Sequence, residues 1–312
     1  MKNKLNAMCF FLSVMLLVCG CEKPLIEGNN ESAEQTTGNV TLHVSGFESY
    51  SDEFGTREIK DVAQVCSRLN FIVYQNGEKV KAVNQKGGDD TFGEVTLNMD
   101  SGTYQVLILA HSSDGNPSQS HPEKVQFTNS IGYTDTFYYY GDMEVTAEGA
   151  TLSVMLKRAV AAFRLVTTDA KPADVASIRF RYTGGSGALD AITGYGCVNS
   201  IQTATYDVAD CSGSLTLEAY TFLHKEEGQL EIQVSAYNSQ GATLYERTFQ
   251  NVPMKRNTIT EYSGTLFYGE PVNPDDPADT PDAPSMPDEP GNSSGFVFQV
   301  DDEWAELNQF SF

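Results

Sequence analysis

Few side chains of this 312-residue chain stand at spacings that could do chemistry. His43, His111, His121 and His224 are scattered, and no two sit at the short intervals that let one loop or helix hold a metal. The run GGSGA around Ser186 ends on alanine and is not a nucleophile elbow. Phosphate loops and dinucleotide fingerprints are absent, and DDPADTPD lacks the ligand spacing and turn glycine of a calcium loop. TFYYYGD could present a tyrosine platform to sugar or protein, or form an amphipathic strand with Tyr139 inward. No acid/base pair is legible, so the expectation is a non-enzyme with no catalytic residue, no metal and no cofactor. Carboxylates paired only in space would escape such a reading.

The thiols are more informative. Lys2 and Lys4 precede an apolar run from Met8 to Val18, about 11 residues long and too short to span a bilayer. Cleavage before Cys21 leaves the small Gly20 at the cut, whereas cleavage before Cys19 would leave branched Val18. Val18-Cys19-Gly20-Cys21 resembles a bacterial lipobox, whose cysteine receives a diacylglycerol before the signal is removed. Each buried CH2 contributes ~0.8 kcal/mol, so stable anchoring takes more than one acyl chain, and a lipoprotein has two or three. Glu22 behind the cysteine, rather than aspartate, favours the outer membrane by the same resemblance. Setting aside Cys9, Cys19 and Cys21 leaves Cys66, Cys197 and Cys211, an odd set that is no disulfide framework. Cys197 and Cys211 could pair across a loop; Cys66 in VAQVCSRL reads as a small buried residue.

The elements that would carry these residues are strands. After a signal (1–20) and a polar tether (21–38), NVTLHVSGF alternates Val40, Leu42 and Val44 on one face. LNFIVYQNGEKVKAV predicts a hairpin turning at Asn76-Gly77, because both residues tolerate positive φ. GEVTLNM, GTYQVLILA and ATLSVML follow, then AVAAFRLV, ASIRFRYT, GSLTLEAYTF, QLEIQVSAY, TLYERTFQNV and TITEYSGTLF. Glu58 to Leu69 spaces Ile59, Val62, Cys66 and Leu69 as one short helix, and TGGSGALDAITGYG reads as a glycine-rich loop. Short strands at spacings of roughly 8 to 12 residues, with no βαβ alternation, predict an all-β chain of two consecutive sandwiches, 39–157 and 158–268.

The chain carries a net charge of −22, and from Gly269 to Phe312 it holds 11 acids and no lysine or arginine. Without a cationic patch, nucleic acid is not an expected partner. Prolines and aspartates through 269–295 predict a disordered linker. The segment 296–312 then brings Phe296, Phe298, Val300, Trp304, Phe310 and Phe312, which must fold back on the chain or dock on a partner. Phe296, Phe298 and Val300 alternate as a strand would; Trp304 and Leu307, three apart, also suit a helical turn.

LKRAVAAFRLV (156–166) and NVPMKRNTITEYSGTLF (251–267) resemble the fimbrial subunits of anaerobic Gram-negative bacteria, and among them the FimB-type fimbrillin-associated anchor lipoproteins. Pro253, Arg256, Asn257, Thr260 and the closing Gly-Thr-Leu-Phe carry the likeness, with the hairpin at LNFIVYQNG. The resemblance implies two transthyretin-like β-sandwiches and a non-catalytic minor subunit, lipid-anchored at the outer membrane and surface. It implies a fimbrial stalk subunit as protein partner, met by β-strand exchange. Stalk subunits of that family lose a first strand to a trypsin-like protease, here after Arg57, whereas an anchor keeps it. Phe296–Phe312 would then be a donor strand for the next subunit. A tip or accessory subunit, or a free-standing surface lipoprotein binding glycan or host protein, is the alternative reading.

Overall fold

The computed structural model describes residues 37–48, 62–268 and 306–311. These belong to one compact unit, Thr36–Phe312. The signal, Cys21, the tether as far as residue 36, Arg57 and most of the 269–312 tail lie outside the described residues.

The described chain is almost entirely strand. β1 (Thr37–Phe47) precedes a single turn of helix, α1 (Val62–Val65). Then come β2 (Arg68–Gln75), β3 (Glu78–Lys86), β4 (Glu94–Asp100), β5 (Gly102–His111), β6 (Ser118–His121), β7 (Lys124–Gln126), β8 (Phe137–Val145) and β9 (Ala150–Arg158). β10 (Ala161–Thr167), β11 (Ser177–Thr183), β12 (Ala188–Asp190), β13 (Tyr195–Gly196) and β14 (Gln202–Asp207) follow. The last are β15 (Thr216–Thr221), β16 (Glu227–Tyr237), β17 (Thr243–Lys255), β18 (Thr258–Gly264) and β19 (Glu306–Ser311).

The expected helix is shorter than its spacing suggested. Leu69 is drawn into β2, where it pairs with Ala110 of β5, and only Val62–Val65 keeps helical geometry. The hairpin is as expected: Gln75 pairs with Glu78 across Asn76 (φ 53°) and Gly77 (φ 81°). Tyr139 packs against the core from the inner face of β8, as an amphipathic strand requires.

Period-two patterning becomes two cores. The first lies between β3-β2-β5-β8 and β9-β1-β4, which join only where Phe137 and Tyr138 pair with Arg158 and Lys157. The second lies between β14-β11-β16-β17 and β15-β10-β18-β19. The two layouts repeat. β1 is antiparallel to β4 and parallel to β9; β10 is antiparallel to β15 and parallel to β18. β2 and β5 in the first likewise match β11 and β16 in the second.

A third cluster joins the two cores, with Tyr74, Leu107 and Tyr138 meeting Ala162, Phe222 and Ile259. Beside it the order β13-β12-β7-β6 mixes strands from both halves, pairing Leu189 with Val125 and Ala188 with Gln126. The segment TGGSGALDAITGYG is therefore not merely a loop. Its glycines allow close packing, since Gly185 sits against Thr221 and Gly196 against Ser186.

Candidate functional site

The four histidines make separate contacts among the described residues. Among the described residues, no group of three or more His, Cys, Asp or Glu could hold a metal. His43 is half-buried and His121 exposed, with Nδ1 bonded to Ser153 Oγ and Gly77 O respectively, and His224 Nδ1 bonds Gly196 O. His111 is fully buried, and burial together with Arg68 lowers its imidazole to about 4.

The thiols are separate. Cys197 and Cys211 are both free and exposed. Cys197 lies five residues before β14 and Cys211 four residues after it. The expected pair is not bonded in this structure. Cys66 is buried against Val62, and burial pushes its thiol up to about 12.

Two strand positions have the geometry of an interaction site. The first is β1, threaded between β9 and β4 with Val40, Leu42 and Val44 at 0, 0 and 3 % exposure. Its alternation arises because both flanking strands supply backbone partners while the sandwich supplies one apolar face. Taking β1 away would open a slot lined by unpaired backbone and apolar side chains.

The second is the outer edge of β18. Glu306–Ser311 adds there in parallel, pairing Ile259 with Leu307, Glu261 with Gln309 and Ser263 with Ser311. Extended pairing holds Leu307 in a strand, so the helical turn suggested by Trp304 and Leu307 does not continue through it. Phe310 packs on Tyr262, ring centroids 5.2 Å apart, and stays 37 % exposed. It closes one side of a cavity of about 620 Å³ lined by Lys225, Glu227, Gln229, Met254 and Lys255. Of the expected contact residues only Phe310 is placed; Phe296, Phe298, Val300, Trp304 and Phe312 lie outside the described residues. Sequence reasoning missed β19 as a definite strand because ELNQFS has no apolar alternation.

On the opposite face of that sheet, Arg164 bridges Glu218 at 2.6 Å and Glu261 at 3.6 Å. Burial pushes the Glu261 carboxyl up against the pull of Arg164. The Tyr220 hydroxyl donates to Glu218. These charges satisfy one another and act as the glue of a half-buried sheet.

Residues 30–273 match the profile of a family of unknown function, DUF6562. The chain belongs to that family. No curated protein matches it. Among solved structures, this DUF6562 chain is similar to a candidate adhesin from Bacteroides ovatus ATCC 8483 at 14 % identity and TM-score 0.43, covering 75 % of this chain and 88 % of that one. It is similar to the fimbrial anchor protein Mfa2 from Porphyromonas gingivalis at 12 % identity and TM-score 0.40, covering 68 % and 82 %. It is also similar to a fimbrial assembly protein from Parabacteroides distasonis ATCC 8503 at 12 % identity and TM-score 0.37, covering 73 % and 90 %. The DUF6562 match ends at residue 273, so β19 and the tail beyond that residue fall outside it.

Proposed function

We propose that this protein is a non-catalytic minor subunit of a fimbria, held in the outer membrane by lipid on Cys21 and joined to a stalk subunit by β-strand exchange. The two sandwiches, 39–157 and 158–268, act as its two domains, and 269–295 spaces the aromatic segment from them. The observation that carries the reading is the position of β1. The first strand beyond the tether fills the middle of a sheet, with Val40, Leu42 and Val44 buried. An anchor that keeps β1 keeps its own slot filled and stays tied to its lipid. The signature motifs support the same role: Asn257 takes φ 55° in the turn between β17 and β18, and the Thr260 hydroxyl donates to Pro253 O at 2.7 Å.

The test is a count of cell-bound and shed fibres after Cys21→Ala, by immunogold microscopy of cells and medium. Fibres released into the medium make this protein the link between lipid and polymer. Fibres that remain attached in normal number sink the anchor role. A mature N-terminus at Glu58 would instead make it a stalk subunit that has given up β1.

The cavity beside Phe310 favours a second reading, a tip subunit or surface lipoprotein that binds glycan or host protein. Lys225, Glu227 and Gln229 line it beside the Phe310 ring, a mix of polar groups and an aromatic face that suits a sugar. Binding to a glycan array that is lost in Phe310→Ala would support it.

A further inference from the structure

The repeated layout makes β9 the counterpart of β18, and the correspondence extends to the backbone. In β9 the Leu156 carbonyl accepts from Glu48 N–H on the β1 side, which turns Thr151, Ser153 and Met155 toward the opposite edge. In β18 the Gly264 carbonyl accepts from Thr168 N–H on the β10 side, which turns Ile259, Glu261 and Ser263 outward in the same way. In both strands the alternate residues, Leu152 and Val154 or Tyr262, point into the core. The β18 edge carries Glu306–Ser311. Among the described residues the β9 edge carries nothing from Ala150 to Leu156 and meets β8 only at Lys157 and Arg158.

This bare edge lacks the usual protection. From Ala150 to Leu156 it has no proline, no lysine and no charged residue. Ala150 and Leu152 of β9, and Tyr139 of β8, pack on the first core and are only half-buried. In the second sandwich the corresponding gap is where Phe310 lies over Tyr262.

We propose that the β9 edge, Ala150–Leu156, is an acceptor for the terminal strand Glu306–Ser311 of a second copy of this chain, added parallel as it is on β18, with Phe310 over Leu152 and Tyr139. This deepens the strand-exchange reading by naming the edge that receives. The occupant is argued from the chain itself. The same segment already pairs with the equivalent edge, and 37 residues separate Tyr268 from Glu306. Fully extended, that length spans about 120 Å, enough to cross to a neighbour.

The experiment places photoreactive benzoylphenylalanine at position 310 of the full Cys21→Ala chain and mixes equal amounts of 14N and 15N copies. Crosslinks between copies that map to 139–156 are expected, beside within-copy crosslinks to 225–229 and 253–255. Ser153→Pro removes a backbone N–H that pairs with nothing among the described residues, together with the hydroxyl bonded to His43, and should cut the between-copy product at least about tenfold. Its within-copy product should be unchanged, which shows that the variant is folded. Between-copy crosslinks that map instead to β18 overturn β9 as acceptor and leave strand exchange standing. Absence of any between-copy product, or a product indifferent to Ser153→Pro, overturns the proposal. Neither outcome touches the anchor test at Cys21.

Discussion

Arg158 and Asn257, 99 residues apart, meet where the two sandwiches join. Arg158 Nη1 donates to Asn257 Oδ1 at 2.8 Å, and Asn257 N–H donates to Val160 O at 2.9 Å. The other guanidinium nitrogens grip Asp135 at 2.8 and 2.9 Å, and the plane of Arg158 lies over Phe137. One side chain at the end of β9 thus ties the loop before β8 to the turn after β17. Breaking a buried pair costs more than the pair contributes, because the remaining charge is left without its partner. Arg158→Met should lower stability by about 3–5 kcal/mol, read as a fall in urea midpoint at constant slope.

Leu42 sits at the centre of β1 with no exposed surface. Leu42→Ala should cost about 2–5 kcal/mol, most of it from a cavity that β4 and β9 cannot collapse into. His43→Ala, one residue on and on the other, half-buried face of β1, is the control and should cost less. Equal loss in both would mean that β1 does not contribute its apolar face to the core.

His111 gives an acid response with a definite sign. Its Nδ1 accepts from Ser113 N–H at 3.2 Å, and Nε2 donates to Asn70 Oδ1 at 3.0 Å, so the folded chain holds the neutral ring. Burial first, and Arg68 second, lower its value from 6.5 to about 4. The stability this represents is fully present above pH 6.5 and is lost as pH falls through 4, since the unfolded chain takes up the proton first. The linked loss is on the order of 3 kcal/mol. Unfolding midpoints at pH 7 and pH 4 should differ accordingly, and His111→Asn should be less stable at pH 7 with a flatter pH dependence.

The thiols should react in an order set by burial. Cys211 and Cys197 are exposed, and burial raises Cys197 somewhat. Cys66 at about 12 is almost wholly protonated at pH 8, with roughly one in ten thousand ionised. A thiol reagent should modify Cys211 fastest, Cys197 next, and Cys66 only on unfolding. Mild oxidation should leave both exposed thiols free; loss of two hydrogens by intact mass, with the disulfide mapped to Cys197–Cys211, would show instead that they pair.

What the sequence by itself determined was local. Alternation at Val40, Leu42 and Val44 and at Leu230, Ile232 and Val234 requires strands with one buried face, and Asn76-Gly77 requires a tight hairpin, because these signals lie within a few residues of one another. Tertiary structure decided everything that depends on partners far along the chain. The glycine-rich segment became β12 and β13 because β7 supplied backbone groups for Ala188 and Leu189. Leu69 left its helical spacing because β5 offered a strand partner. ELNQFS, which has no period, became β19 because the edge of β18 had unpaired donors and acceptors to fill. The candidate site was legible only as aromatic residues beyond a linker, since a sheet edge is a property of strand order, and strand order is fixed by closure of the whole sandwich.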